Sequence, residues 1–313
     1  MVPSAIGTTV IVLIAALFVD RLIGDPHSQW HPVALLGRFI GWWGKPGNYS
    51  PGYQRLAGVI FWLITAILFA LPFYYFAMVS PWILYLIIAP FLLKCCFAWR
   101  SLEEHTLAVV AALKAGVQDG REQVKMLVSR DTGNLGKEHI LSAGYESMTE
   151  NLTDSIISPL FYYSLFGLAG AAIFRAANTM DSMLGYRDER IRLGWFSARM
   201  DDILNFVPAR LTVFFLLLYF AFTGNFSDAL RIMRRDGYKR PGFNGGIVMA
   251  VMAGGTGIQF EKPGVYIIGD GKKTLEEAGT DIIRACRVVI LFFTFFVVST
   301  LILLGSWINS TGI

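Results

Sequence analysis

The chain has 313 residues, of which 54% are hydrophobic and 16% are charged, and its formal net charge is +4 at pH 7. Soluble domains carry about 25% charged residues, so this composition excludes an ordinary soluble protein and indicates a membrane protein. The small, dispersed positive charge gives no reason to expect nucleic-acid binding. The three cysteines show no CxxC or Cys/His ligand spacing, which excludes a disulfide framework and a zinc site.

Six apolar segments predict an all-α fold, a polytopic membrane helical bundle. Each approaches the roughly 20 residues that a helix needs to cross about 30 Å of hydrocarbon. The first has no basic region before it and no cleavage pattern after it, so we interpret it as a retained helix. All six are assigned to a single integral-membrane domain, residues 1–313. The segments are about 4–19, 57–78, 81–98, 156–174, 206–223 and 285–308.

Basic residues predict the orientation of this bundle. The polar stretches 21–56, 99–155 and 225–284 hold four, six and nine Lys or Arg residues. The positive-inside rule places all three in the cytoplasm and the N-terminus outside. We therefore expect a multi-pass membrane protein.

The stretch 99–142 is expected to form an amphipathic cytoplasmic helix. Its apolar residues recur at helical spacing and are predicted to share one face. They are Leu102, Leu107, Val110, Leu113 and Val117.

The segment 156–174 presents a conflict. If it crosses the membrane completely, residues 176–205 lie outside with four Lys or Arg residues, and the polar residues at its two ends face opposite sides. Gly167 and Gly170 permit a bent or partly re-entrant segment instead, which is tolerated when it is buried in protein. The sequence leaves both alternatives open.

Three carboxylates precede this segment. Glu146, Glu150 and Asp154 follow at intervals of four residues, so a helix places them on one face. Like charges repel there unless a cation lies among them, and oxygen ligands suit Mg²⁺. The alternative is a solvated helix face.

Two further faces combine arginine, aspartate and asparagine. Charges near mid-membrane cost roughly 2.5–3.5 kcal/mol each, and arginine forms paired hydrogen bonds with phosphate or carboxylate. These faces therefore indicate phosphoryl chemistry on an anionic substrate, while snorkelling arginines and helix-end ion pairs are the alternative. The residues are Arg175, Asn178 and Asp181, then Arg199, Asp202 and Asn205, with Arg210 beyond them.

Three weaker motifs complete the set. Asp25 and His31 follow the first apolar segment and are candidate phosphate or metal ligands, or part of an interfacial turn. Arg130, within Ser129–Thr132, is a candidate phosphate ligand, although this stretch also suits a helix cap. The glycines of 244–257 either cradle phosphate or allow close helix packing.

These motifs, in this order and over nearly the whole chain, resemble the adenosylcobinamide-phosphate synthases, which are integral-membrane enzymes of cobalamin biosynthesis. The C-terminal part is looser, because Glu261-Lys262-Pro263 stands where a glycine pair is expected. The matching stretches are Gly24-Asp25-Pro26, His31-Pro32-Val33, Ser129-Arg130-Asp131-Thr132, Glu146 to Tyr162, Arg175 to Tyr186 and Ala198 to Arg210.

The resemblance implies an ATP-dependent ligase. It joins the amine of (R)-1-aminopropan-2-ol O-phosphate to the propionate carboxylate of adenosylcobyric acid, with ATP and Mg²⁺. The expected catalytic carboxylates are Glu146, Glu150, Asp181 and Asp202, and which of them is the general base stays open. The expected metal ligands are Glu146, Glu150 and Asp154. The expected substrate-binding residues are Asp25, His31, Arg130, Asn151, Arg175, Asn178, Arg199, Asn205 and Arg210.

The implied partners are adenosylcobyric acid, aminopropanol phosphate, ATP and membrane lipid, but not nucleic acid. A homo-oligomer, or contact with other cobalamin-assembly enzymes, stays open. A non-catalytic, sensor-like relative should have lost the acidic residues that this chain keeps, and a transporter should show two similar halves. Because separated charges near lipid are costly, we expect the polar clusters to meet in one pocket on the cytoplasmic side.

Overall fold

The structure is a computed structural model that describes residues 5–25 and 28–311. Helices dominate it, which confirms the all-α class, and a short antiparallel strand pair is the feature that the sequence did not predict. In chain order the helices are α1 (Ala5–Ile23), α2 (Pro32–Trp43), α3 (Gln54–Val79), α4 (Trp82–Lys94), α5 (Trp99–Ala115), α6 (Val117–Lys125), α7 (Lys137–Leu152), α8 (Ser158–Leu184), α9 (Trp195–Leu204), α10 (Phe206–Phe222), α11 (Phe226–Asp236), α12 (Gly245–Thr256) and α13 (Leu275–Thr311), and the strands are β1 (Gln259–Lys262) and β2 (Tyr266–Gly269).

Several helices are long and apolar enough to cross a membrane. Five such stretches occur among the described residues, and α9 with α10, taken as one broken span, would be a sixth. This confirms a polytopic membrane protein. The five stretches are Ile6–Ile23, Gln54–Val79, Trp82–Ala115, Lys137–Leu184 and Leu275–Thr311.

The contacts within the chain define two compact units. Each unit is assembled from segments that are distant in sequence, so the division does not cut the chain into consecutive domains, and the single membrane domain stays a prediction. Unit 1 comprises Met1–Ala98, Asp154–Asn205 and Phe295–Ile313, and unit 2 comprises Trp99–Thr153 and Phe206–Thr294.

The core of unit 1 forms where α2 and α3 pack against α8. Trp43 of α2 is almost fully buried, and its indole N–H donates to the hydroxyl of Thr65 on α3 at 3.1 Å. Gly58 lets α3 approach the segment before α9, because a Cβ atom there would lie 2.1 Å from the carbonyl oxygen of Leu193. This packing holds the C-terminal half of α8, which carries Arg175 and Asn178, against a rigid layer.

Helix α8 reverses direction at Gly167. The backbone there has φ 64° and ψ −155°, a region open essentially only to glycine. The rings of Tyr162 and Phe174 stack with centroids 5.4 Å apart, although twelve residues of straight helix would span about 18 Å. A Cβ atom on Gly170 would lie 2.5 Å from the carbonyl oxygen of Tyr162. The predicted apolar segment 156–174 is therefore not one straight helix, and of the two alternatives the structure agrees with the bent one.

Unit 2 is organised around α12, which is buried along nearly its entire length. A Cβ atom on Gly255 would lie 2.3 Å from the ring of Phe220, and one on Gly254 would lie 2.6 Å from the carbonyl oxygen of Asp228. The glycines of this stretch therefore serve close packing. Strands β1 and β2 pair antiparallel, with Phe260 opposite Ile268.

The predicted amphipathic stretch 99–142 is divided among α5, α6 and the start of α7. The predicted apolar face was wrong for α5, since Leu107 is 43% exposed. The buried face instead carries Trp99, Glu103, Thr106 and Val109. Glu103 turns inward because Arg287 of α13 donates to its carboxylate from Nε at 3.0 Å, an ion pair that no local periodicity reveals.

We expect Gly167→Ala to destabilise the protein by about 1–3 kcal/mol, because an L-residue is strained at this φ and ψ. The matched control is Gly52→Ala, at an exposed position where an added Cβ meets nothing within 4 Å. Denaturant unfolding in detergent measures both variants. Equal stability of the two variants would contradict the reversal at Gly167.

Candidate functional site

A polar cavity in unit 1 collects the first cluster and one of the predicted arginines. It has a volume of about 480 Å³ and is lined by Asp25, His31, Cys95 and Arg175 among others. The Nε atom of Arg175 and the Nε2 atom of His31 are buried, and neither has a hydrogen-bond partner among the described residues. Two predicted motifs, one with Asp25 and His31 and the other with Arg175, therefore line one cavity, and two of their buried nitrogen atoms lack a partner among the described residues.

Lys94 lies beside this cavity and belongs to none of the predicted motifs. Its ammonium is almost fully buried, pairs with the carboxylate of Asp25, and lies 3.8 Å from Oδ1 of Asp20. Two carboxylates from the end of α1 and the following loop thus share one cation from the end of α4. A lone lysine closing an apolar run was the signal that could have identified it.

His31 begins α2 as its N-cap. Its Nδ1 accepts the backbone N–H of Val33 at 3.3 Å, and Pro32 occupies the first helical turn, where no donor is needed. Burial lowers the pKa of His31 below its ordinary value, although Asp25 acts in the opposite direction. The imidazole is therefore neutral at pH 7, and Nε2 keeps its proton as a donor on the side of Asp25.

The reversal in α8 brings together polar residues from both ends of the apolar segment. Ser158 donates to Oδ1 of Asn205 at 2.6 Å, and Nδ2 of Asn205 donates to Asp201 at 2.9 Å. Asn178 donates to the same carboxylate at 3.2 Å. Asn205 is only 1% exposed, so it orients Asp201 and is not itself open to a substrate. Asp201, which was not among the predicted site residues, is therefore the carboxylate that both amides contact.

The remaining predicted residues of unit 1 are less enclosed. Arg199 is 61% exposed at its side chain and lies 3.7 Å from Asp202, which is a surface ion pair on one helical turn. Asp181 is half-buried on α8. Asp154 lies outside α7, in the π-helical turn Thr153–Ile157, where α-helical spacing no longer applies. The expectation that it shares one face with Glu146 and Glu150 stays a prediction.

In unit 2, Glu146 is enclosed by donors. Ser142 and Tyr266 both donate to its carboxylate, the latter at 2.7 Å, and Nη2 of Arg130 lies 3.5 Å from both oxygens. Burial, and then the charge of Glu146, raise the pKa of Tyr266, so the phenol stays protonated and donates. This carboxylate has little capacity left for a metal ion.

Glu150 and Arg210 each have a different partner within unit 2. Arg240 donates to the Glu150 carboxylate, and Arg210 donates to Asn244 and to the carbonyl oxygen of Phe243. Asn151 donates to the carbonyl oxygen of Ser147 at 2.9 Å. In the part of the chain that the structure describes, no three His, Cys, Asp or Glu side chains are grouped to hold a metal ion. The predicted three-carboxylate metal unit is therefore not preformed.

Arg240 and Tyr266 were missed because they belong to the loop after α11 and to β2, about a hundred residues from the carboxylates that they contact. Unit 1 holds Asp25, His31, Asp154 and the faces around Arg175 and Arg199, whereas unit 2 holds Arg130, Glu146, Glu150, Asn151 and Arg210. Convergence of all clusters in one cytoplasmic pocket stays a prediction.

Comparison with known proteins identifies the family of this chain. A family model described as CobD/Cbib protein matches residues 13–289. The chain belongs to the CobD/Cbib family. This agrees with the resemblance inferred from the motifs and places the chain in cobalamin biosynthesis.

Curated members of the family match along most of their length. A probable cobalamin biosynthesis protein CobD of Methanothermobacter thermautotrophicus is 39% identical over 90% of this chain and 95% of that protein. The Thermococcus kodakarensis protein of the same name is 41% identical over 93% and 94%. A cobalamin biosynthesis protein CobD of Dehalococcoides mccartyi is 36% identical over 85% and 88%. No solved structure matches the chain.

We expect Lys94→Met to destabilise the protein by about 3–5 kcal/mol, because it leaves two carboxylates without their buried counterion. Adding Asp20→Asn should recover part of this loss, since one uncompensated charge is then removed. Lys45→Met, at an exposed position, is the control. The measurement is unfolding in detergent, and wild-type stability of Lys94→Met would show that the ion pairs contribute nothing.

Proposed function

We propose that this protein is an ATP-dependent acid–amine ligase that forms adenosylcobinamide phosphate. The substrates are adenosylcobyric acid, (R)-1-aminopropan-2-ol O-phosphate and ATP. Membership of the CobD/Cbib family supports the pathway. The observation that supports the chemistry is the unit 1 cavity, which Arg175 lines together with Asp25 and His31.

The reaction needs an activated carboxylate. ATP transfers its γ-phosphoryl group to the propionate carboxylate, which gives an acyl phosphate and ADP. The amine then attacks the acyl carbon, inorganic phosphate leaves, and the amine loses a proton to a base. Donors that stabilise the phosphates and a carboxylate that accepts the proton are therefore the required groups.

The residues of unit 1 suit a phosphorylated amine. Arg175 offers planar donors for a phosphate or carboxylate. Asp25 offers a carboxylate to an ammonium group, and neutral His31 offers an N–H donor next to it. Lys94 pairs with Asp25, which holds that carboxylate in place and reduces the net negative charge of the site. The positive charge of Arg175 and the negative charge of Asp25 together match a zwitterion such as aminopropanol phosphate.

The candidate base is one of the carboxylates of α8 and α9, which are Asp181, Asp201 and Asp202. Asp201 is held by two amide donors, Asn178 and Asn205, and Asp181 and Asp202 are its neighbours in the two motifs. An oriented carboxylate in this position would accept the proton that the amine releases. Among these residues, we assign the positioning roles to Asn178 and Asn205, and the proton-accepting role to the carboxylates.

We propose that Mg²⁺ binds together with ATP and not at a resident metal site. Glu146 and Glu150 are engaged by arginine, serine and tyrosine donors, so their environment does not fit that of resident metal ligands. Mg²⁺ would neutralise the phosphates of ATP as part of the substrate. The proposed location is the cytoplasmic membrane, where ATP and the amine substrate are accessible.

The function is tested with the full chain purified in detergent. Adenosylcobyric acid, ATP, Mg²⁺ and aminopropanol phosphate should yield adenosylcobinamide phosphate and ADP, followed by mass spectrometry. Arg175→Lys keeps the charge but loses the planar pair of donors, so we expect its KM for aminopropanol phosphate to rise about tenfold. Arg187→Lys, at an exposed position, is the control.

Two results would count against the proposal. Absence of any amide product from the folded wild-type protein would favour a non-catalytic relative. Equal KM values for Arg175→Lys and the wild type would remove the unit 1 cavity from substrate binding.

A further inference from the structure

Unit 2 contains a second polar cavity, formed by α6 and the loop before α7. Its volume is about 720 Å³. Basic and hydroxyl side chains line it, and its two carboxylates, Glu122 and Asp131, are exposed. Asp131 is partly engaged, because its Oδ1 accepts the backbone N–H of Gly133 at 3.0 Å. The basic and hydroxyl residues that line it are Arg121, Lys125, Ser129, Arg130 and Thr132, and of these Arg121 already donates from Nε to the carbonyl oxygen of Leu135 at 2.9 Å.

Arg130 is the buried cation of this cavity. Its side chain is 12% exposed, and Nη2 lies 3.5 Å from both carboxylate oxygens of Glu146. The Nε and Nη1 atoms are buried, and the described part of the chain offers neither a hydrogen-bond acceptor. A buried donor without a partner costs about 1–3 kcal/mol, so two of them on one guanidinium indicate a ligand.

Glu146 holds Arg130 in this position. The Glu146 carboxylate cannot turn away easily, because Ser142 and Tyr266 donate to it. Ser142 is itself fixed, since its hydroxyl oxygen accepts the backbone N–H of Glu261 at 2.7 Å. The guanidinium is thus oriented by one neighbour at Nη2, its Nε and Nη1 atoms have no partner among the described residues, and the residue lines the cavity.

We infer that this cavity binds the phosphate group of a phosphorylated ligand, with Arg130 as the principal donor and Glu146 as its positioning residue. Phosphate accepts several hydrogen bonds at once, which suits a guanidinium with two nitrogens that lack a partner within the described protein. Lys125 adds a second positive charge, and Ser129 adds a hydroxyl. The inference rests on the proposed function only for its probes, because that reaction uses both a polyphosphate and a phosphate monoester.

Binding is measured by calorimetry on the full chain in detergent. The probes are tripolyphosphate, aminopropanol phosphate and succinate, a dianion without phosphorus. We expect Arg130→Gln to weaken binding of a phosphorylated probe at least about tenfold, the loss of one charge-assisted contact, and Arg130→Lys to weaken it less. Lys125→Gln should weaken it about threefold, and Lys114→Gln, an exposed control outside the cavity, should not.

Glu146→Gln separates positioning from simple electrostatics. Removing a negative charge beside the cavity would by itself strengthen anion binding. If Glu146 positions Arg130, the variant should bind the phosphorylated probe more weakly, provided that its unfolding transition shows a folded protein. Arg130→Lys keeps the charge and serves as the second variant if Glu146→Gln does not fold.

The pattern of losses identifies the ligand. If Arg130→Gln loses binding of tripolyphosphate alone, the natural ligand is the polyphosphate of a nucleotide. If it loses binding of aminopropanol phosphate alone, the natural ligand is the phosphate monoester. Either result supports the inference. Wild-type affinity of both Arg130 variants for both phosphorylated probes would overturn it, as would succinate binding with the same dependence on Arg130. If the wild type forms the amide but the Arg130 variants bind phosphate normally, the inference fails and the proposed function stands. If the Arg130 variants lose phosphate binding but the wild type forms no amide, the proposed function fails and the inference stands.

Discussion

The reversal of the chain at Gly167 is the constraint on which the polar network of unit 1 depends. A straight helix would carry Ser158 and Asn178 about 30 Å apart, whereas here both connect to Asp201, Ser158 through Asn205. Only glycine adopts this backbone without strain. Because the polar groups satisfy one another, they can remain beside helices of membrane-spanning length.

The buried cations follow a shared rule in both units. Lys94 is held by Asp20 and Asp25, and Arg130 is held by Glu146. In each case the carboxylate compensates a charge that would otherwise be costly to bury. Of the acidic residues that periodicity marks as metal ligands, Glu146 pairs with Arg130 and Glu150 pairs with Arg240.

This arrangement accounts for the density of charge around the apolar segments. Glu150 takes Arg240 as its partner, and Arg210 is held by Asn244 and the carbonyl oxygen of Phe243. Each pair joins segments that are far apart in sequence. A chemistry that handles several anionic groups needs such cations, and cations in this setting need partners to stay in place.

The sequence by itself determined the membrane class, the helical composition, the apolar segments and three of the charged residues at the two cavities, Asp25, Arg130 and Arg175. Those properties follow from composition and local periodicity, which depend only on neighbouring residues. Only the tertiary structure decided that the segment 156–174 folds back, that α5 buries Glu103, and that Lys94, Tyr266 and Arg240 pair with the motif carboxylates. Such pairings join residues up to about 120 positions apart, and their free energy depends on desolvation and geometry, neither of which the spacing of residues along a chain contains.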